Sequence, residues 1–161
     1  RGACELVRAL TGKFPEVMTS SVSGYVGALL QQHASDPAAN WKAKDAAVTL
    51  VVALLVKAKS AARGATELNE LGLSVVDFFN TQIAPELARA AADGGTSGSD
   101  VGTAVTRADA LKFVTVFRGF LPKAAVAPHL PAIVACLRAS QNVTHTYAAN
   151  CLDKLLAVRE T

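Results

Sequence analysis

Apolar residues recur along this chain at the three- and four-residue spacing that places them on one face of a helix. The first such stretch covers residues 2–13. The next covers about 16–34, after Pro15, which suits the first turn of a helix. Asn40 is a candidate N-cap for a third helix at about 41–59. Further helices are predicted at about 74–92, 106–120, 122–139 and 142–158. No stretch reads as a convincing strand, so the predicted fold class is all-α.

Two long connecting loops and several prolines interrupt this helical pattern. Residues 60–73 lack a clean apolar face, and residues 93–104 are rich in glycine and serine, so both stretches are predicted loops. Pro85 lies inside a predicted helix and should kink or briefly break it. Pro128 and Pro131 should bend the penultimate helix for the same reason.

The most apolar stretch is NWKAKDAAVTLVVALL, residues 40–55. After Asp45, eleven residues pass before the next charge, at Lys57. A membrane span needs roughly 20 apolar residues, which is far more than this run supplies. The stretch also contains four alanines and lacks the punctuation typical of strands. We therefore predict a buried helix.

Four of the predicted helices begin alike, with a small residue followed by apolar residues three and six or seven positions later. The small residues are Cys4, Ala47, Ala110 and Ala149, at spacings of 43, 63 and 39. The apolar residues that follow are Val7, Leu50, Phe113 and Leu152, then Leu10, Leu54, Phe117 and Leu156. Two of the spacings match the HEAT or armadillo period of about 40–47 residues. The middle spacing is about 20 residues too long for that period, and the excess falls at the two predicted loops.

This pattern predicts an α-solenoid of about three and a half HEAT-type helical hairpins with one insertion. A single hairpin cannot bury its own apolar face, so neighbouring hairpins must stack. We expect residues 1–161 to form one such segment, cut from a longer solenoid, since the chain opens inside an amphipathic helix without an initiator methionine.

Composition argues against several classes of function but does not identify one. The net charge of +3 is mild, and the basic residues are scattered, so no nucleic-acid partner is predicted. The three cysteines form an odd set without metal-ligand spacing, which favours a reducing compartment and no metal. No cofactor motif is present either, because the GGTSGS stretch lacks the lysine of a phosphate-binding loop.

Catalytic constellations are also missing from the sequence. The three histidines, His33, His129 and His145, lie on three different predicted elements. A catalytic histidine needs a nucleophile and an orienting carboxylate within reach, and the sequence designates neither. We predict that the protein is not an enzyme; a helical enzyme that uses Cys151 and His145 is the weakest alternative.

Two groups of residues are candidates for contacting a protein partner. Trp41, the only tryptophan, stands beside Lys42 and Lys44 at the head of an otherwise buried helix. It either seals the seam between adjacent hairpins or anchors a partner, since tryptophan and basic residues are frequent in interface hot spots. The second group is the mixed-charge insertion, represented by Arg63, Glu67, Asn69 and Glu70. It is either a solvated loop or an element that contacts a partner or acts as a hinge.

Four segments, in order, resemble the exportin-2 family of importin-α re-exporters, also called cellular apoptosis susceptibility proteins. They are SGYVGALLQQHASDPAANWKAKDAAVTLVVAL (23–54), TELNELGLSVVDFFNTQIAPEL (66–87), ADALKFVTVFRGFLPK (108–123) and VTHTYAANCLDKLL (143–156). NWKAKDAA and HTYAAN are the most recognisable parts. The resemblance covers nearly the whole chain and places it in the central part of such a protein, within the importin-β superfamily.

The resemblance implies a nuclear export receptor built of HEAT repeats, with no enzymatic activity and no membrane partner. Such a receptor binds importin-α together with the GTP-bound form of Ran, passes nuclear pore proteins, and shuttles between nucleus and cytoplasm. Ran contacts would fall mainly on repeats absent from this segment. The family carries an insertion in a mid-chain repeat, and residues 60–73 are our candidate for part of it.

The glycine- and serine-rich connection at 93–104 departs from the family, because it looks longer and looser than the usual connection. That departure affects contacts made by the loop and leaves the expected fold intact. The alternative to an export receptor is a HEAT-repeat scaffold or regulatory subunit unrelated to nuclear transport.

Overall fold

The structure is a computed structural model that describes residues 2–96 and 100–157. Helices dominate it, as predicted. Their bounds are α1 Gly2–Lys13, α2 Pro15–Ser35, α3 Trp41–Leu55, α4 Val75–Phe78, α5 Ala84–Ala92, α6 Val101–Phe117, α7 Lys123–Val126, α8 Leu130–Ala135 and α9 Asn142–Leu156. No helix in the described ranges is long and apolar enough to cross a membrane.

The helices stack in two rows. In the first row, α3 packs between α1 and α6, and α6 packs between α3 and α9. In the second row, α5 packs against α8, while α2, α5 and α8 each contact a first-row helix. Helix α1 is half a hairpin, and the pairs α2–α3, α5–α6 and α8–α9 complete three more. The four helices that begin alike in sequence form the first row, which confirms the predicted solenoid of three and a half hairpins.

Residues of both rows form the core. Aromatic rings pack in its middle: the ring centroids of Phe113 and Phe117, both of α6, are 4.6 Å apart, and those of Phe113 and Phe78 of α4 are 5.4 Å apart. Phe79, Phe113 and Phe117 are fully buried. Each such side chain stabilises the fold by roughly 1.5–3 kcal/mol relative to exposure.

The expectation that no strand occurs is wrong at the insertion. Two short strands, β1 Val56–Ser60 and β2 Gly64–Leu68, pair as an antiparallel hairpin. Helix α3 therefore ends at Leu55, four residues before its predicted end. The predicted loop of residues 60–73 contains β2 but only the last residue of β1. The pairing is irregular, with register shifts on either side of Ala58, which weakens the alternation that would mark it in the sequence.

The second predicted loop, at 93–104, also ends earlier than expected. Helix α6 begins at Val101, and its N-cap Asp100 accepts hydrogen bonds from the backbone N–H groups of Gly102 and Thr103. The glycine and threonine residues at 101–104 look like loop in sequence, yet the cap makes them the first turn of a helix. Residues 97–99 of the glycine- and serine-rich stretch lie outside the described ranges.

The prolines act where the sequence predicts. A π-helical turn, Phe79–Ile83, separates α4 from α5 and ends two residues before Pro85. Since proline has no backbone N–H, the helix widens there instead of continuing its regular bonding. Around Pro128, a 3₁₀ turn at Ala127–His129 separates α7 from α8.

One detail of the repeat alignment is wrong in α9. Ala149 is exposed, and Leu156 is 84% exposed, although both occupy apolar positions of the aligned pattern. The buried residues of α9 are Thr144, Ala148 and Cys151. The face of α9 that meets α6 is therefore shifted by one residue, because the buried Thr144 hydroxyl donates to the Ala104 carbonyl across the two helices at 3.2 Å.

Candidate partner-binding surface

The two groups of sequence-predicted site residues lie at opposite ends of α3. Trp41, Lys42 and Lys44 are at its first turn, while the hairpin that carries Arg63 and Glu67 follows its last turn. A 15-residue helix is about 22 Å long at 1.5 Å per residue. The structure therefore places two separate candidate surfaces on one helix, and it does not combine them into one site.

Trp41 lies in the seam between α3 and α6. A β-carbon placed on Gly102 would be 2.6 Å from the Trp41 ring, so the ring sits directly on the start of α6. The indole is partly exposed, and the Lys42 ammonium lies 5.6 Å from its ring centroid. This geometry makes Trp41 a packing residue of the seam whose outer edge, together with Lys42, faces solvent.

Lys44 is a buried residue instead of a surface one. Its ammonium pairs with Glu86 of α5 at 3.3 Å, and both side chains are less than 10% exposed. Glu86 also pairs with Arg89 and accepts a hydrogen bond from the Thr106 hydroxyl of α6 at 3.2 Å. This Lys44–Glu86 junction joins α3, α5 and α6, since a buried charge requires such partners.

A cleft of about 430 Å³ opens beside that junction, between the ends of α2, α3, α5 and α6. Trp41 and His33 form part of its lining. Burial, together with the Lys44 ammonium, lowers the pKa of His33. On the far side, the buried guanidinium of Arg107 pairs with Asp93, which follows α5. The charged groups of this Trp41 cleft therefore serve mainly to hold neighbouring helices together.

The hairpin holds most of the second group. Glu67 pairs with Lys57 across the strands at 2.6 Å, and both side chains are 56% exposed. Asn69 closes the end of α3: its side-chain amide donates to the Leu54 carbonyl at 2.6 Å, and its backbone N–H donates to the Leu55 carbonyl at 2.8 Å. Arg63 and Glu70 are exposed, so they are the members of this group most open to a partner.

The turn of the hairpin is anchored to the next repeat. The Arg118 guanidinium, at the end of α6, donates to the carbonyls of Ala62 and Thr115. Gly64 rests on the same helix end with a φ of 78°, and any side chain there would collide with the Val116 carbonyl. Neither Arg118 nor Gly64 was among the sequence candidates. A glycine after a short polar stretch was the available signal for a turn.

Two carboxyl groups face each other on the first row. Asp109 of α6 is buried and hydrogen-bonds to Asp45 of α3. Burial, with the neighbouring Asp45 carboxylate, raises the pKa of Asp109 to about 8. At neutral pH Asp109 therefore keeps its proton, which lets α3 and α6 pack closely at this point.

The cysteines do not behave as catalytic groups. Cys136 and Cys151 are fully buried, and burial raises the pKa of both thiols. A nucleophilic cysteine needs the opposite shift, because the thiolate is the reactive form. His145 lies near the Ala139 carbonyl, at 3.4 Å. Among the described residues, no group of three or more potential ligands is placed to hold a metal ion.

Comparison with known proteins assigns this architecture to a family. Residues 1–152 match the family model described as Cse1. The chain belongs to the Cse1 family. It is 38% identical to Exportin-2 of Homo sapiens and 39% identical to Exportin-2 of Oreochromis niloticus, each over 159 residues. Each alignment covers 99% of this chain and 15% of the relative.

A solved structure of a Cse1 protein has the same fold. The structure, "The exportin Cse1 in its cargo-free, cytoplasmic state", superposes with a TM-score of 0.81 at 30% sequence identity. The superposition covers 95% of this chain and 16% of that one. The chain therefore spans about one sixth of the length of its Cse1 relatives, and the HEAT-repeat arrangement agrees with theirs.

Proposed function

We propose that this chain is a repeat segment of a nuclear export receptor that carries importin-α out of the nucleus in a Ran-GTP-dependent complex. The observation that carries the proposal is its similarity to Exportin-2 proteins along 99% of its length. The match to an exportin in a cargo-free, cytoplasmic state supports it, since a carrier must have an empty state as well as a loaded one. The protein would shuttle between nucleus and cytoplasm.

The proposed mechanism is protein binding coupled to flexing of the solenoid. Cargo and Ran-GTP would both favour one curvature of the array, so each would strengthen binding of the other. The segment contributes packing joints such as the Lys44–Glu86 junction, where a few buried groups fix the angle between repeats. Ran would bind mainly to other repeats, and the receptor would contact nuclear pore proteins during transit.

Within this segment, we propose that the partner surface consists of the outer edge of Trp41 with Lys42, and of the exposed hairpin residues Arg63 and Glu70. Lys44 has a buried partner in the chain, and Asn69 is occupied at the end of α3. These two residues would act by positioning the surface. Glu67 is exposed but paired with Lys57, so a partner would have to compete for it.

The experiment is a capture assay with the full-length receptor that carries this segment. Immobilised importin-α is incubated with the receptor and with Ran loaded with either GTP or GDP. We expect retention of the receptor only with Ran-GTP. Retention that does not depend on the nucleotide would overturn the proposal and would favour the alternative, a HEAT-repeat scaffold or regulatory subunit with constitutive partners.

The proposal includes no catalytic step. The alternative of an enzyme built on Cys151 and His145 requires a reactive thiol, whereas burial raises the pKa of Cys151. A thiol-alkylation assay on the native protein checks this directly. We expect Cys151 to be alkylated only after unfolding; rapid alkylation at neutral pH would revive the enzymatic alternative.

A further inference from the structure

A second cleft, of about 420 Å³, lies where the hairpin turn meets the ends of α6 and α9. Three cationic residues line it from three different elements: Lys59 of β1, Arg118 after α6, and Lys154 of α9. No carboxylate is among its lining residues, which are otherwise small or uncharged. We call it the basic cleft.

The charges of the basic cleft are only slightly compensated. Lys59 is exposed, and among the described residues it forms no ion pair. Arg118 is buried, and its guanidinium donates to two backbone carbonyls, which are neutral. Lys154 has one neighbouring carboxylate, Asp153, at 2.9 Å, but that carboxylate is 69% exposed and shared with water. Three positive charges and one exposed negative charge therefore give the cleft a net positive field.

The orientation of Arg118 explains why this field persists. Its guanidinium is fixed by the hairpin turn, and Gly64 leaves room for it there. Burial lowers the pKa of Arg118, yet arginine keeps its proton in proteins. The charge is consequently buried without an anion nearby, an arrangement that becomes more favourable when an anion occupies the cleft.

We infer that the basic cleft docks an acidic segment of a protein partner, whose carboxylates meet Lys59 and Lys154 while Arg118 supplies the field behind them. This inference rests on the proposed function and adds the chemistry of one contact. Asn150, which is exposed in the lining, can donate to the same segment. Arg118 acts as a positioning residue, since its guanidinium is held in place by the Ala62 and Thr115 carbonyls.

A nucleic acid fits the cleft less well. No aromatic side chain lines it, although stacking on aromatic rings is a main source of affinity for single strands. Both terminal nitrogens of Arg118 already donate to carbonyls, which holds the guanidinium in place and limits a two-point contact with a phosphate. Separate lysines on two elements suit carboxylates spaced along an extended peptide.

The test measures binding of two fluorescein-labelled peptides to the full-length receptor by anisotropy. One is a decapeptide of alternating glutamate and serine, and the other is its glutamine counterpart. We expect the acidic peptide to bind, with affinity falling as salt increases, and the neutral peptide to bind at least tenfold more weakly. Equal binding of both peptides would overturn the inference.

Matched variants locate the site. The double variant Lys59→Ala/Lys154→Ala should weaken binding of the acidic peptide at least fivefold, whereas Lys13→Ala, an exposed lysine of α1 outside the cleft, should leave it unchanged. All three substitutions are at non-buried positions, and thermal unfolding checks that folding is intact. An unchanged affinity in the double variant would refute the cleft as the site.

Two further comparisons distinguish a nucleic-acid ligand from an acidic peptide, and failure of the inference from failure of the proposed function. If a single-stranded oligonucleotide of equal charge binds more tightly than the peptide and loses its binding in the double variant, the ligand is a nucleic acid and the inference is wrong. If the peptide result fails while Ran-GTP-dependent capture of importin-α persists, the inference fails alone. If the peptide binds as expected but capture ignores the nucleotide, only the proposed function fails.

Discussion

Buried polar side chains contribute to this fold by linking its helices. Lys44, Glu86, Arg107 and Asp109 are all buried. The contacts of Lys44, Glu86 and Asp109 join neighbouring repeats, and Arg107 pairs with Asp93 within the α5–α6 hairpin. A charge in such a place needs a partner, because the cost of an unpaired buried charge is several kcal/mol. These residues therefore fix which helices meet and in what register.

The Lys44–Glu86 junction gives the first prediction. Glu86→Ala leaves the Lys44 ammonium buried and unpaired, so we expect a loss of about 3–5 kcal/mol in the free energy of unfolding. The double variant Lys44→Met/Glu86→Leu should recover most of that loss. Urea denaturation measures both, with Glu16→Ala, an exposed glutamate of α2, as the control that should change little. Equal losses in the single and double variants would contradict the expected role of the pair.

The Asp45–Asp109 pair gives a prediction about pH. The pKa of Asp109 is raised to about 8 in the folded chain, against an ordinary value of 3.8. Between these values the folded state holds a proton that the unfolded state has released, so stability should fall as pH rises from about 4 to 8. The slope contributed by one such proton is about 1.4 kcal/mol per pH unit.

Asp109→Asn tests that assignment, because an amide cannot titrate. We expect its free energy of unfolding to decline less between pH 4 and 8 than that of the unsubstituted chain. Above pH 8, where Asp109 is ionised in the folded and the unfolded state alike, the two slopes should converge. Identical slopes across the whole range would show that another group controls the pH dependence.

Gly102 gives a third prediction at this scale. Alanine is normally preferred over glycine inside a helix, but a β-carbon at Gly102 would be 2.6 Å from the Trp41 ring. We expect Gly102→Ala to destabilise the chain by about 1–3 kcal/mol. Gly27→Ala in α2, where no atom lies within 4 Å, should instead be neutral or slightly stabilising. Thermal unfolding of the two variants provides the comparison.

At the scale of elements, the helices follow from sequence and the hairpin does not. The apolar spacing of α1 and α2 predicts their bounds almost to the residue. The hairpin is missed because its strands are short and irregularly paired, and because Val56–Ser60 continues a helical pattern. Its decisive contact is with Arg118, 56 residues away from Ala62, and no local pattern contains such information.

The candidate surface was predictable to a similar degree. Of the two roles predicted for Trp41, sealing a seam between adjacent hairpins agrees with its place between α3 and α6, and anchoring a partner stays a prediction. Lys44 looked equally exposed in sequence, but its neighbour Glu86 comes from another repeat, so its burial could not be foreseen. Likewise, Lys59 and Lys154 become neighbours only because α9 stacks beside α6 and the hairpin folds over their ends.

The hairpin anchor supports a prediction about local opening. Arg118→Met removes the donors that hold the Ala62 carbonyl, so the strands should open more often without global unfolding. Hydrogen exchange of the amides in β1 and β2 should accelerate at least tenfold, while amides of α3 keep their rates. Arg138→Met, an exposed arginine outside the hairpin, is the control and should leave exchange unchanged.

At the scale of the whole molecule, the array is continuous, and its two outermost hairpins expose apolar side chains. Leu6 and Val17 are 59% and 66% exposed on one side, and Val134 and Leu137 are 51% and 43% exposed on the other. Repeat arrays stay soluble when the outer faces of their terminal repeats are polar. The described segment therefore has the character of a stack whose outer faces are partly apolar.

That character predicts self-association of the isolated 161-residue segment. We expect sedimentation velocity to show a concentration-dependent shift to larger species, because the exposed apolar faces pack against copies of themselves. Leu6→Lys/Leu137→Lys should shift the distribution back towards monomer. Asn80→Lys, an exposed position in the middle of the array, should leave association unaltered. A wild-type segment that stays monomeric at high concentration would contradict the prediction.

The hairpin also has a mechanical consequence. Through Asn69 it is fastened to the last turn of α3, and through Arg118 it is fastened to the last turn of α6. The hairpin thus holds the ends of α3 and α6 at a fixed separation. We expect the joint between these two helices to bend less than a joint spanned by a simple loop. When the array bends, the bending would occur mainly at the neighbouring joints. Loss of the hairpin contacts would spread the bending over the whole array.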